Sequence, residues 1–401
     1  MMREYFPFFE RNPNITYLDS AATSQTLYTV VEDLQSFMLD HKSNAHRSGH
    51  SMGTWVDHQY YEAKSLIGKW LGIQYPENKI VFNSGATQGL YDAVQLLKRQ
   101  VTGGTVYIGI DFHHSLYLPF KQLADQNNYY DIVFVPLQNG KLNLDWLADK
   151  FKEDSGSKIL AFTAVSNVLG VVQDLDAIAE LAKVNKCVTV MDASQIVGKR
   201  KVNYSNFDFV TWSWHKVYGP MGLGCLVLNN SWDLNEPVHP GGGSVTNVSV
   251  SPLIGLAEIS WQDNAGRFES GTQNLAAIAT LPRLIKWLIE HDQDIESHDK
   301  MLAGFVNGQV SLDQFVSLVD CQSGLISLAP KLGAVEDYSM LLDAKKIMVR
   351  TGKLCAQPLL DYFMHPALIR LSWGCYTTST EIERAFDRMG EIYEKFSRTP
   401  R

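Results

Sequence analysis

Phe207-Asp208-Phe209-Val210-Thr211-Trp212-Ser213-Trp214-His215-Lys216-Val217-Tyr218-Gly219-Pro220 decides how this chain is read. Its first five residues form an apolar run with the look of a buried strand. A second such run, Gly224-Cys225-Leu226-Val227-Leu228, follows closely. Lys216 therefore falls at a turn between two strands. Lysine is rarely placed among buried strands unless its amine has work to do. One such task is a Schiff base, which needs an amine kept partly deprotonated by its surroundings. Ser213 and His215 flank the lysine with hydrogen-bonding groups suited to an anion such as a phosphate.

Upstream, Val188-Thr189-Val190-Met191 is an apolar strand that ends in Asp192, with Gln195 three residues on. A strand-end carboxylate ahead of such a lysine is what a pyridoxal phosphate site requires. The carboxylate keeps the pyridine nitrogen protonated, so that the ring accepts electrons. Further upstream, Lys79-Ile80-Val81-Phe82 reads as a strand running into Asn83-Ser84-Gly85-Ala86-Thr87-Gln88-Gly89 and then a helix. Strand, small-residue loop and helix start together hold a phosphate, because free backbone N–H groups and the helix dipole both favour an anion. Gly85, Ala86 and Thr87 are the candidates for that cup, beside Ser213 and His215. No Gly-Lys-Ser/Thr follows, so the loop is not a Walker A motif.

These motifs carry a resemblance. Asp192-x-x-Gln195 followed by Ser213-x-His215-Lys216-x-Tyr218-Gly219-Pro220 resembles the class V aminotransferase-fold family of pyridoxal phosphate enzymes. Within it the likeness is to group II cysteine desulfurases and selenocysteine lyases. Leu18-Asp19-Ser20-Ala21-Ala22 resembles the family's opening motif beside the active site, and His46 and Arg47 fall where it has rim residues. The family's ring-stacking histidine matches His113, in Asp111-Phe112-His113-His114-Ser115. Asn167 matches an asparagine near the cofactor's phenolic oxygen, and Gln195 would bond the same oxygen. Arg267-Phe268-Glu269-Ser270-Gly271-Thr272-Gln273-Asn274 resembles the motif whose threonine reaches the phosphate of a neighbouring subunit, so Thr272 implies a homodimer. Arg350-Thr351-Gly352-Lys353-Leu354-Cys355 resembles the nucleophile loop, and Arg370 matches the arginine that clamps the substrate carboxylate. A planar guanidinium suits that task because it donates two parallel hydrogen bonds.

The resemblance implies fold type I: a large domain with a mainly parallel sheet covered by helices, and a smaller α+β domain. Residues 26–274 would form the first and 275–401 the second, with 1–25 packing on the smaller domain. Strand and helix alternate from about 79 to 228, which independently argues for a parallel, doubly covered sheet. The implied substrate is L-cysteine or L-selenocysteine, and the implied partner a small sulfur-acceptor protein. Departures from the family pattern are Trp214, where a small residue is usual, Lys353-Leu354, where histidines are common, and a long segment between Gly243 and Arg267.

Composition narrows the field. The 401 residues are 45% hydrophobic and 19% charged, as in ordinary globular proteins, and are long enough for two cores. A net charge of -8 argues against general nucleic-acid binding. Without an apolar run of about 18 residues, no membrane span is expected. The five cysteines have no paired short spacing, so neither a disulfide framework nor a structural metal site is expected, and a reducing cytoplasm is the simplest compartment. Cys187 and Cys225 sit in apolar strand contexts and read as core.

Overall fold

The computed structural model describes residues 2–46, 49–126, 128–229, 236–251, 255–311 and 313–398. Arg47, one of the two rim candidates, lies outside them.

Seven strands build the main sheet, in the spatial order Ile80–Asn83, Gly224–Leu228, Phe209–Ser213, Val188–Asp192, Lys158–Thr163, Gly104–Gly109, Tyr130–Val135. The last five of these run parallel to one another. Gly224–Leu228 runs antiparallel to both its neighbours. The cause is chain length: residues 214–223 are too few for the crossover helix that parallel neighbours need.

Side chains alternate between two cores along each strand, as a sheet covered on both faces demands. Val106 and Ile108 enter one apolar cluster and Tyr107 the other; Ile159 and Ala161 oppose Leu160 and Phe162 in the same way. The helices Ala86–Leu97 and His114–Gln126 cover one face. Ser51–Leu71, Leu144–Glu153 and Leu175–Val184 cover the other. Caps set several boundaries. Asn143 and Asp174 accept from the N–H groups of Trp146 and Ala177, and Gly72 ends its helix in the left-handed region.

A four-stranded antiparallel sheet, ordered Phe315–Ser317, Leu325–Pro330, Leu368–Ser372, Arg350–Gly352, forms the second layer system. The helices Asp292–Gln309, Val335–Asp343 and Ser379–Arg398 pack on it. Thr16–Tyr17 pairs with Ile347–Met348 on this side, while Phe6 and Phe9, earlier in the amino-terminal segment, join the cluster under the large sheet. Residues 275–290, assigned by sequence to the second unit, instead bury Leu281, Leu284, Ile285 and Leu288 in the cluster under the large sheet. They do so because these four residues make one apolar face, which lies against the helix Ser51–Leu71.

Candidate active site

The strand ends bring their residues to one cleft, of about 230 Å³, between the two sheets. Ala86, Thr87, His113, Asn167, Asp192, Ser213, His215, Lys216, Cys355 and Arg370 all line it. Ligands bind at this edge of open α/β sheets, beyond the carboxyl ends of the strands.

Lys216 ends a single 3-10 turn, Trp214–Lys216, that caps the strand Phe209–Ser213. Burial pushes its amine pKa down, and the charge of Asp192 opposes that only in part. The turn is fastened from the amino-terminal segment. Ser24 donates to His215 O through both its N–H (2.8 Å) and its hydroxyl (3.0 Å), and its Oγ accepts from Tyr218 N at 2.7 Å. Trp214, the family departure, is fully buried beside Trp212 and stacks near Trp70, with ring centroids 6.3 Å apart. It fills the core and does not line the cleft.

Asp192 is buried, and its Oδ1 accepts from Ser194 N at 2.9 Å. His113 accepts from Ser115 N through Nδ1 at 3.2 Å, which leaves Nε2 to carry the ring proton. Burial lowers the His113 pKa to about 4, with Asp192 pulling the other way, so the ring is neutral near pH 7. Ser115, a residue the sequence reading passed over, also exchanges a hydrogen bond with Thr87 at 2.9 Å. It thus couples the phosphate-cup loop to His113.

In that cup Ser213 Oγ accepts from Ala86 N at 2.8 Å. Gly85 holds a φ of 152°, and a Cβ there would sit 3.2 Å from Ser213 Oγ. Gly224 is needed on the adjacent strand, since its Cβ would stand 2.5 Å from Gly85 Cα. Burial lowers the His215 pKa to about 4, and its Nδ1 has no partner. Gln195, expected at the cofactor's oxygen, is not among the lining residues; its Nε2 donates to Ala21 O at 2.9 Å.

On the opposite wall Arg370 is almost wholly buried. Its Nη1 donates to Asn167 O at 3.0 Å and its Nη2 to Asp19 Oδ1 at 3.2 Å, while Nε has no partner. Burial pushes the guanidinium pKa down and Asp19 pulls it back. Arg350 Nη1 lies 3.6 Å from the other oxygen of Asp19.

Cys355 is the one exposed cysteine; the other four are buried. It sits on a tight turn in which Ala356 N donates to Lys353 O at 3.0 Å. Both central residues are left-handed, Leu354 at φ 53° and Cys355 at φ 54°. Asparagine and glycine suit such a turn; leucine and cysteine do not. Each non-glycine residue held there costs about 1–2 kcal/mol. Burying a leucine side chain contributes about 1.5–3 kcal/mol, and each hydrogen bond about 0.5–1.5 kcal/mol. Leu354 is buried with Val168, Leu169, Leu359 and Leu360. Asn167 Nδ2 donates to Leu354 O at 2.8 Å, and His114 N to Cys355 O at 2.9 Å. Docking therefore offsets the strain.

Thr272 does not reach this cleft. With His46, Tyr60, Lys64 and Glu269 it lines a separate one of about 320 Å³, which shares no lining residue with the first.

The profile of the aminotransferase class-V family matches residues 16–385. The chain belongs to that family. Its relatives include a probable cysteine desulfurase of Vibrio cholerae, 28% identical and covering 96% of this chain and 95% of that protein. A cysteine desulfurase of Yersinia pseudotuberculosis is also 28% identical, with the same coverage. Among solved structures, a cysteine desulfurase from Thermococcus onnurineus superposes with a TM-score of 0.90 at 26% identity, over 98% of both chains. One from Escherichia coli gives 0.88, again at 26% identity and over 98% of both chains. Class V enzymes generally depend on pyridoxal phosphate. Among the described residues no cluster of His, Cys, Asp or Glu could hold a metal ion, and no helix is long and apolar enough to cross a membrane.

Proposed function

We propose that this class V enzyme is a cysteine desulfurase that uses pyridoxal phosphate to take sulfur from L-cysteine onto Cys355. The observation that carries the reading is the convergence of Lys216, Arg370 and Cys355, far apart in sequence, on one cleft.

The residues fit the cofactor. His215 Nδ1 and Asn167 Oδ1 are buried and unpartnered, polar atoms that otherwise cost free energy. Gly85, Ala86, Thr87, Ser213 and His215 would hold the phosphate at the start of a helix, Asp192 the ring nitrogen, and His113 the ring face. Bound there, the cofactor would supply an electron sink for charge at the substrate Cα.

The chain's own residues divide the remaining work. Arg370 binds the substrate carboxylate through its free N–H positions and so fixes Cα. The amine of Lys216, its pKa lowered by burial, takes the Cα proton. His113, neutral with its proton on Nε2, assists that transfer. Cys355 attacks the substrate sulfur as the thiolate. The C–S bond breaks, a new S–S bond forms, Cβ regains a proton, and alanine leaves. One cysteine and one enzyme thiol thus become one alanine and one persulfide, with no outside oxidant or reductant. A thiol acceptor protein then takes the sulfur from the exposed Cys355 turn. Thr272 and the cleft around it serve the phosphate of a second copy of this chain, as a homodimer. The cysteines, all unbridged, suit a reducing cytoplasm.

Alanine and sulfide release from L-cysteine, measured with a thiol reductant, tests the reading. Wild type should release both, and Lys216→Ala and Cys355→Ala neither, while Cys355→Ala keeps its yellow cofactor. A fully active Cys355→Ala, or a wild type that ignores cysteine, would sink it.

A further inference from the structure

The Cys355 turn stands in a conformation that its own residues disfavour. Two consecutive non-glycine residues are left-handed at the point where the chain presents its only exposed thiol. Strain of this kind persists only where the surroundings over-determine it, and it collects at functional sites. Three contacts do so here, and all of them come from residues outside the turn's own backbone hydrogen bond. The Leu354 side chain enters an apolar cluster with Val168 and Leu169, which follow Asn167 directly in the chain. Asn167 Nδ2 holds Leu354 O, and the N–H of His114, next to His113, holds Cys355 O. The two hydrogen bonds come from the wall that bears Asn167 and His113, so they fix the turn relative to the cleft itself.

We infer that Leu354 is a positioning residue for the nucleophile: its buried side chain keeps the turn docked and the Cys355 thiol at the mouth of the cleft. This rests on the desulfurase reading for its kinetic consequence, but not for its structural one. Leu354 also lines the cleft, but its side chain is buried in the apolar cluster, and it acts by holding the turn rather than by binding substrate. The backbone carbonyls on either side of the Cys355 Cα are the points at which the wall holds the turn, and the leucine anchor presses them there. Without the anchor, Leu354 and Cys355 can return to ordinary right-handed or extended conformations. The same relaxation breaks both hydrogen bonds and carries the thiol away from the substrate position.

Leu354→Gly removes the anchor and tolerates φ > 0, so it does not force misfolding. Leu354→Met keeps an apolar anchor of similar size. In the cofactor-loaded enzyme, hydrogen–deuterium exchange should rise in Leu354→Gly at the His114 amide and across 353–357, and nowhere else. Its kcat for alanine release should fall on the order of 10–100-fold, as expected when a reacting group is displaced by about 1 Å. KM for cysteine should stay within about twofold, because Arg370 is untouched. The cofactor absorbance should be unchanged, and Leu354→Met should restore both exchange and kcat. Unchanged exchange in Leu354→Gly would overturn the anchoring, and raised exchange with wild-type kcat would overturn the positioning role. If wild type releases no alanine, the desulfurase reading fails, while the exchange result still decides whether Leu354 anchors the turn.

Discussion

The two walls of the cleft are built differently. Lys216 stands on a strand end and a single helical turn, backed by a fully buried tryptophan and clasped by three hydrogen bonds to Ser24. Cys355 stands on a strained turn, exposed, held by one leucine and two backbone carbonyls. The first wall holds the amine as a fixed part of the core. Under the proposed function, the second presents a thiol that would meet substrate inside the cleft and then surrender its sulfur outside. Changes to the first wall should therefore cost stability and chemistry together. Changes to the second should cost mainly rate, with little stability.

The largest effect belongs to Lys216. Replacing it with alanine should cut alanine release by about 10²–10⁴-fold, the usual worth of a positioned proton-transfer group. A smaller loss in steady-state assays would move the proton transfer elsewhere, with His113 the next group to test.

Next comes Trp214→Ala, which opens a cavity under the lysine turn and should cost about 3–5 kcal/mol, read as a drop in denaturation midpoint. Leu354→Gly should lower the same midpoint far less, since it also removes strain. Equal losses in the two variants would erase the contrast between the walls.

A pH effect separates the loop before His113 from both. Asp111 is completely buried, its Oδ1 has no partner, and burial raises its pKa to about 7 from an ordinary 3.8. The folded state thus favours the protonated form. Its contribution to stability is full below about pH 4 and is lost as pH rises through about 7. Asp111→Asn, which cannot ionise, should flatten that part of the stability profile and gain most over wild type near pH 8. Parallel melting curves for the two proteins from pH 4 to 8 would contradict this.

The smallest change is Ser24→Ala. It removes two side-chain hydrogen bonds to the lysine turn and should cost about 1–2 kcal/mol in chemical denaturation.

The sequence made the first wall legible and the second only in part. Asp192, Lys216 and His113 lie at or just beyond strand ends, and strands announce themselves by apolar runs. Trp214 was a puzzle as a departure from the family pattern, because a pattern does not say that the side chain points into the core. Cys355 was visible from its motif. The strain of its turn was not, because nothing in Lys353-Leu354-Cys355-Ala356 favours left-handed residues; distant packing imposes them. Ser115 and Ser24 act through short polar contacts that leave no periodic trace, although Ser24 lies two residues past the Leu18–Ala22 string. The stretch after Asn274 holds two helices, Leu275–Ile278 and Leu281–Glu290, because Pro282 starts a new one. The long segment before Arg267 contains the antiparallel strands Val245–Ser251 and Leu256–Trp261. Their signal was a brief alternation of valine with polar residues.

One measurement bears most directly on the whole account. The cofactor-loaded enzyme is given one equivalent of L-cysteine without reductant, quenched, digested, and its five cysteine-bearing peptides are weighed. Added mass equal to one sulfur atom on the Cys355 peptide, matched by one alanine released, is the predicted result. Alanine released with no sulfur on Cys355, or with the sulfur on another cysteine, would contradict it.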